Sequence, residues 1–549
     1  MVYAKTEYEE SMMKKVMCFI MVISICLSSN GFEVMSSEQE PSSWAVDEIQ
    51  ELLASNQFNS QRFTNYKESI YIAKANGIIG GVGNNKVAPK GIATVEQSIL
   101  LIHRVLKNNE GEIFTYMESK NSITYSKSES DSEIIDIPYS GKFSISGINE
   151  SVELVSLRYE DSLYPIDYKV DNSRVEIELL ETLMLDSRYD IRIYTQNNQY
   201  NYIGMTPENI NLENAEIKNS AVMNTDGTWS WYDSYIVEVP ANPSKGFNYP
   251  YFILVPENKS NEKYSQYLVA EMNNSGWGGS ISSTKSSVLN TFREGSNIGS
   301  GVATGLQAPY VLTTFPRPAN NIYTHALDSD SLHISYADII DLNLGDFTRI
   351  DKQFHAILED AKFQLAAIDR PVNSKVALTG FSASAVFAKR YINIYPEDVE
   401  AIAIGGVSGD SALYPFATKD GYDFNYPLGI KDYQDLFGKT FDVEKVKNID
   451  QYMFIGGDDT NDALPNSDAF TEEEKISIRN VLGDDLTGYR WNKMIDLFDD
   501  YGYVNVQYEI YANMGHFASN ITSMDCATFL KANLDNDEFT EIQASIYGN

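Results

Sequence analysis

Cysteine is nearly missing, with three in 549 residues. Cys18 and Cys26 fall in an apolar stretch near the N-terminus, so the rest of the chain carries Cys526 alone. A single thiol forms no internal disulfide, and the fold must be held by its packed core. No Cys-x-x-Cys pair and no His-rich cluster occurs, which argues against a structural zinc site. Positive charge is also scarce. Lys and Arg total 42 against 77 Asp and Glu, a net charge of −35. A surface of that sign repels a polyanion, so nucleic acid is not expected as a partner. Long apolar runs are lacking too. The run from Val16 to Leu27 is about a dozen residues, where a membrane helix needs about 20, so no transmembrane span is expected in the mature chain.

The composition that remains is 43% hydrophobic and 22% charged, the balance of a globular protein. The length predicts two to four domains. Met12-Met13-Lys14-Lys15 precedes the Val16–Leu27 run, and Ser28-Ser29-Asn30-Gly31 follows it. A basic start, a short apolar core and a small-residue exit predict a secretory signal peptide over 1–31, and hence a secreted or cell-surface, extracytoplasmic bacterial protein.

Beyond a polar linker, residues 36–107 read as a small helical module. In YIAKANGIIGGVGNNKVAPKGIATVEQSILLIHRVLK, Tyr71 to Lys107, a helix stops at Gly77 and a glycine-rich turn follows. A second helix then opens at Thr94, with Gln97 three residues on as a capping box. This unit resembles a surface-layer homology module, with Val95 where such modules usually carry Arg. The resemblance implies weak cell-wall association; a helical spacer is the competing reading. From 133 to 205 the pattern is short β-branched and aromatic runs: FSISGI, SVELVSLRY, YPIDYKV, RVEIELL and YDIRIYT. About five strands at that spacing predict a small β-sandwich.

From 206 to 549 strands and helices alternate. YIVEVP and YFILVP predict a hairpin; YLVAEM, YVLTTF, VALTGF, AIAIGG, YMFIGG and VNVQYEIYA are continuous apolar strands. Such runs separated by helices predict an α/β fold with a mostly parallel central sheet covered on both faces. Reacting groups in such sheets collect past the C-terminal ends of strands. After VALT comes Gly380-Phe381-Ser382-Ala383-Ser384. A serine on a sharp strand-to-helix turn needs small residues two positions either side, and this is the G-x-S-x-S form of a nucleophile elbow.

A serine nucleophile needs a base, and the base an orienting acid. Of five histidines, only His516 follows a late strand, in EIYANMGHF; His103, His325, His333 and His355 sit elsewhere. The acid is expected between serine and histidine. GGDDTND supplies Asp459, with Asp462 as the alternative and Asp458 third. Two backbone N–H groups must face the developing oxyanion. One is expected from Ala383 and the other from the loop after YLVAEM, at Asn274 or Ser275. Arg317, past YVLTTF, reads as a loop anchor before an anion binder.

GFSAS, GGDDTND and the late Gly-His, in that order, resemble the α/β-hydrolase superfamily over 206–549. FPRP, YTHALD and LVAEMNNSG look closest to secreted bacterial esterase- or depolymerase-like members. The resemblance implies a serine carboxylic ester hydrolase (EC 3.1.1) using Ser382, Asp459 and His516. It would act on a small-molecule or polymeric ester through an acyl-serine, with no cofactor or metal required. A catalytically idle surface-binding protein and a serine peptidase on the same fold are the alternatives.

Overall fold

The computed structural model of the chain describes residues 133–545 except 160–161, 196–197, 214, 224–228, 258–262, 277–279, 318–326, 328–346, 466–469, 535 and 537. The expected signal peptide and the 36–107 module lie outside the described residues, as do His325, His333, Gly278 and Gly279. The chain divides into two compact units between Pro207 and Glu208.

The described part of the first unit is all β. Its strands are Glu133–Asp136 (β1), Lys142–Ser146 (β2), Val152–Tyr159 (β3), Ser162–Tyr164 (β4), Ile166–Asp171 (β5), Arg174–Leu179 (β6), Arg188–Thr195 (β7) and Gln199–Met205 (β8). They form a five-stranded sheet, β1-β8-β7-β3-β4, and a three-stranded sheet, β2-β6-β5. Period-two burial explains the legible strands. In β7, Tyr189, Ile191 and Ile193 are buried while their neighbours are not, and in β6 Val175, Ile177 and Leu179 are. The sequence predicts about five strands over 133–205, and the described residues of this unit form eight. β1 and β4 are too short to show a period, and QYNYIGM of β8 is half-buried over most of its length.

The second unit is built on a nine-stranded sheet. Its strands are Glu216–Met223 (β9), Trp229–Val239 (β10), Tyr251–Pro256 (β11), Leu268–Glu271 (β12), Tyr310–Thr313 (β13), Val376–Phe381 (β14), Val399–Gly405 (β15), Asp450–Gly456 (β18) and Val506–Tyr511 (β19). Thr418–Lys419 (β16) and Tyr422–Asp423 (β17) make a separate small hairpin. The order is β19-β18-β15-β14-β12-β13-β11-β10-β9. The six strands from β19 to β13 are parallel, and β11, β10 and β9 are antiparallel. The chain leaves β12 for β13 on one side and returns to β14 on the other. That reversal opens a crevice past the strand ends, and the loops after β12 and β14 border it.

The main helices are Ile281–Glu294 (α1), Ile298–Leu306 (α2), Ile350–Ala367 (α3), Ala383–Ile394 (α4), Trp491–Asp500 (α5) and Asn520–Asn533 (α6). Ala377, Ala401, Ala403, Tyr452 and Phe454 share one core with Val302 of α2 and Phe529 and Leu530 of α6. The alternating residues Leu378, Ile402, Ile404, Met453 and Ile455 are equally buried. They point to the opposite face, so both faces of the sheet are covered and its strands read as unbroken apolar runs. The result is a mixed α/β architecture.

One buried cation in this unit has a stability consequence. Lys389 of α4 is 1% exposed, donates to the Gln451 side chain on β18, and lies 4.7 Å from the Phe498 ring centre. Burial pushes its ammonium down from an ordinary 10.5 to about 7. The unfolded chain therefore binds more protons between those values, and stability falls as pH drops from 10.5 to about 7. Lys389→Met should raise stability by about 1–3 kcal/mol at pH 6, the gain shrinking toward pH 10. Urea midpoints of both proteins at the two pH values check this.

Candidate active site

The site begins with backbone geometry. β14 ends at Phe381, α4 begins at Ala383, and the one residue between them, Ser382, has φ 59° and ψ −124°. A non-glycine residue held there is strained, and such strain clusters at functional turns. The turn is sharp enough that a Cβ on Gly380 would lie 2.6 Å from the Ala385 nitrogen, so glycine is required two residues before the serine. Ser384, two residues after it, ties the turn together. Its hydroxyl accepts from the Phe381 N–H at 2.9 Å and lies 3.0 Å from the Phe381 carbonyl.

β18 and β19 bring the partners. Gly456 closes β18, and a Cβ there would lie 2.2 Å from the Met514 carbonyl; its absence lets the 457–462 and 512–516 loops touch. The Asp458 N–H donates to Met514 at 2.9 Å across that contact. Asp459 is 5% exposed, and its Oδ2 lies 2.7 Å from His516 Nδ1. On the other side of the ring, Nε2 lies 2.9 Å from Ser382 Oγ. The Phe381 ring packs against the imidazole with centroids 4.9 Å apart. Asp459 Oδ1 accepts the Asn461 N–H at 2.9 Å, which fixes the carboxylate. Ser382, His516 and Asp459 thus form one hydrogen-bonded line, able to pass a proton from hydroxyl to imidazole while the carboxylate holds the tautomer.

The other aspartates of the loop are engaged differently. Asp462 receives Nη1 of Arg490 at 2.8 Å and Nη2 at 3.2 Å. Arg490 is fully buried and also reaches Asp410 at 3.3 Å. Asp458 is exposed. Of the described histidines, His355 also has a carboxylate partner, Asp398 at 2.6 Å, which raises its pKa. It is stacked on Tyr395 within the α3–α4 packing, away from any serine hydroxyl among its described contacts. Arg317 is half-buried just past β13.

The loop after β12 is set against the turn by side chains. Asn273 spends its amide on Thr313 and Phe315: Nδ2 donates to the Phe315 carbonyl at 2.8 Å, and Oδ1 accepts from Thr313 and Phe315 at 2.9 Å each. Its own N–H donates to Thr313 Oγ1 at 3.0 Å. Asn274 Nδ2 donates to the Phe381 carbonyl at 2.8 Å. This places the Asn274 and Ser275 segment beside the first turn of α4, where Ala383 carries an N–H with no intrahelical acceptor. Positive charge at that helix end favours an anion.

Four contributors were not singled out from the sequence: Glu271, the Ser384 hydroxyl, Asn461, whose Nδ2 lies 3.0 Å from His516 Nε2, and Arg490. The signal for Glu271 was present: one acid inside the apolar strand YLVAEM. Among the described residues no group of His, Cys, Asp and Glu is arranged to hold a metal ion, and no helix is long and apolar enough to cross a membrane.

No protein-family model matches this chain, and no curated protein matches it either. Solved structures similar to it include poly(aspartic acid) hydrolase-1 from Sphingomonas sp. KT-1, at 13% identity over 56% of this chain and 98% of that one, TM-score 0.33. An S-formylglutathione hydrolase from Agrobacterium tumefaciens matches at 12% identity over 55% and 95%, TM-score 0.31. A prolyl endopeptidase matches at 11% identity over 68% and 47%, TM-score 0.27. At scores of this size the likenesses decide nothing about the chemistry.

Proposed function

We propose that the chain is a serine hydrolase of the α/β-hydrolase fold that cleaves carboxylic esters through an acyl-serine. The observation that carries this reading is the line Ser382 Oγ–His516 Nε2–His516 Nδ1–Asp459 Oδ2, at 2.9 and 2.7 Å, with the serine on a positive-φ turn. His516 Nε2 takes the Ser382 proton as Oγ attacks the ester carbonyl. The imidazolium that forms is stabilised by the buried Asp459 carboxylate. The tetrahedral oxyanion is received by the Ala383 N–H and by an N–H of Asn274 or Ser275. His516 returns its proton to the departing alkoxide, and water then repeats the sequence to release the acid. Every proton is carried by groups of the chain.

The same His516 proton serves a departing alkoxide or amine, so the relay itself admits both bonds; the preference for an ester follows the esterase-like resemblance of FPRP, YTHALD and LVAEMNNSG. On short p-nitrophenyl acetate and butyrate, kcat/KM should exceed that on peptide p-nitroanilides by at least about 100-fold. Anilide turnover at or above ester turnover would make the protein a peptidase, and no turnover of either would make it an idle binding fold. The N-terminal pattern supports an extracytoplasmic enzyme, with the 36–107 segment as a weak wall-binding module and the 133–205 unit as a β-sandwich. Full-length expression should give a product cleaved near residue 31 outside the cytoplasm; an unprocessed cytoplasmic product would contradict this.

A further inference from the structure

Beneath the Ser382 turn lies a carboxyl group that the mechanism above does not use. Glu271, the last residue of β12, is 2% exposed. Its Oε2 accepts from the Gly299 N–H at 2.9 Å, Thr379 Oγ1 at 3.1 Å and Tyr310 OH at 3.5 Å. Its Oε1 lies 3.3 Å from Ser384 Oγ. No lysine, arginine or histidine is among these described partners. The titratable groups facing it are Tyr310 on β13 and Cys526 on α6, both held neutral because burial pushes their pKa values well up. The N-terminal end of α2, through the Gly299 N–H, favours a charged carboxylate. Burial opposes it more strongly, and the net effect raises the Glu271 pKa.

The contacts close a ring. Glu271 meets Ser384; Ser384 meets the Phe381 peptide; the Phe381 carbonyl accepts Asn274 Nδ2; and Asn274 is three residues along the chain from Glu271. The ring therefore joins the strand that leads into the oxyanion loop to the turn that carries the nucleophile. The Phe381 carbonyl also holds the Asn274 amide, so neither proton state of Glu271 leaves it bare, but one state makes every contact at once. Ser384 Oγ has one proton and two lone pairs. It accepts from the Phe381 N–H, and the Phe381 carbonyl and Glu271 Oε1 both lie within its reach. If Glu271 is ionised, both compete for the single Ser384 proton. If Glu271 carries a proton on Oε1, it donates to the second Ser384 lone pair and Ser384 donates to Phe381. Every contact is then satisfied, as a buried polar network requires.

The geometry points to Glu271 as the positioning residue of this site, working as a neutral carboxylic acid that donates through Ser384 to hold the nucleophile turn and the Asn274 loop in register. This rests on the serine hydrolase reading for its kinetic effect and on the hydrogen-bond ring for its proton state. Glutamine reproduces the neutral acid: its carbonyl takes the three donors on Oε2, and its amide donates to Ser384. Leucine removes the link at similar size.

The test compares wild type, Glu271→Gln and Glu271→Leu on p-nitrophenyl acetate. Glu271→Gln should keep kcat within about threefold, whereas Glu271→Leu should lose about 10- to 100-fold in kcat with KM within about twofold. Leucine behaving as wild type would reduce Glu271 to a space filler. Glutamine failing as badly as leucine would mean the charged form is the working one. A second readout needs no catalysis. A carboxyl whose folded pKa is raised contributes stability that is complete below its ordinary value and is lost as pH rises through the folded one. The melting temperature of Glu271→Gln should therefore gain on wild type as pH rises above the ordinary carboxyl range. A difference that stays flat would overturn the neutral-acid assignment, whatever the activity assay shows. Absence of wild-type turnover would sink the hydrolase reading alone.

Discussion

Ser382→Ala should remove ester turnover, lowering kcat by about 10⁵- to 10⁶-fold, with the melting temperature changed by no more than a degree or two. The kinetic loss is large because the serine, histidine and aspartate act as one unit, and deleting the nucleophile leaves only binding and the oxyanion donors. The thermal effect is small for a specific reason. The strained backbone at φ 59° belongs to the turn, and alanine bears the same Cβ as serine. The change removes one hydroxyl whose described partner is the half-buried His516 ring. A variant that melts much earlier would show that Ser382 serves the fold more than the chemistry.

The second large effect separates two aspartates three residues apart. Asp459→Asn keeps the shape of the side chain but removes the charge that orients and stabilises the imidazolium. It should cost about 10³- to 10⁴-fold in kcat with little change in stability. Asp462→Asn should do the reverse. It takes one carboxylate from the buried Arg490, leaving Asp410 at 3.3 Å as its charged partner. A buried cation that loses part of its pairing destabilises strongly, here by about 2–4 kcal/mol, while kcat of the folded fraction should fall less than about 10-fold. Measuring kcat and urea midpoint on both variants checks the assignment. A catalytic collapse in Asp462→Asn with a near-silent Asp459→Asn would reverse it.

These expectations mark how far the sequence could be read. The parallel sheet was legible because both its faces are buried, which makes VALTGF, AIAIGG and YMFIGG unbroken apolar runs. The positions of Ser382, the aspartate loop and His516 were legible because each follows such a run. Which aspartate meets the imidazole was not, since three lie within five residues. Arg490, 28 residues beyond Asp462, separates them only in three dimensions. Ser384 read as a tolerated small residue; its hydroxyl has a role only because the turn folds it back onto Phe381 and because Glu271, 113 residues earlier, arrives beside it. The short strands β1 and β4 were missed because three or four residues carry no period.

The reaction scheme depends on Ser382 being a nucleophile whose proton His516 can take. A fluorophosphonate probe, followed by intact mass and peptide mapping, tests that directly. One adduct per chain is expected, on the peptide containing Ser382, formed by wild type and absent from Ser382→Ala. No adduct, or an adduct that persists in Ser382→Ala, would contradict it.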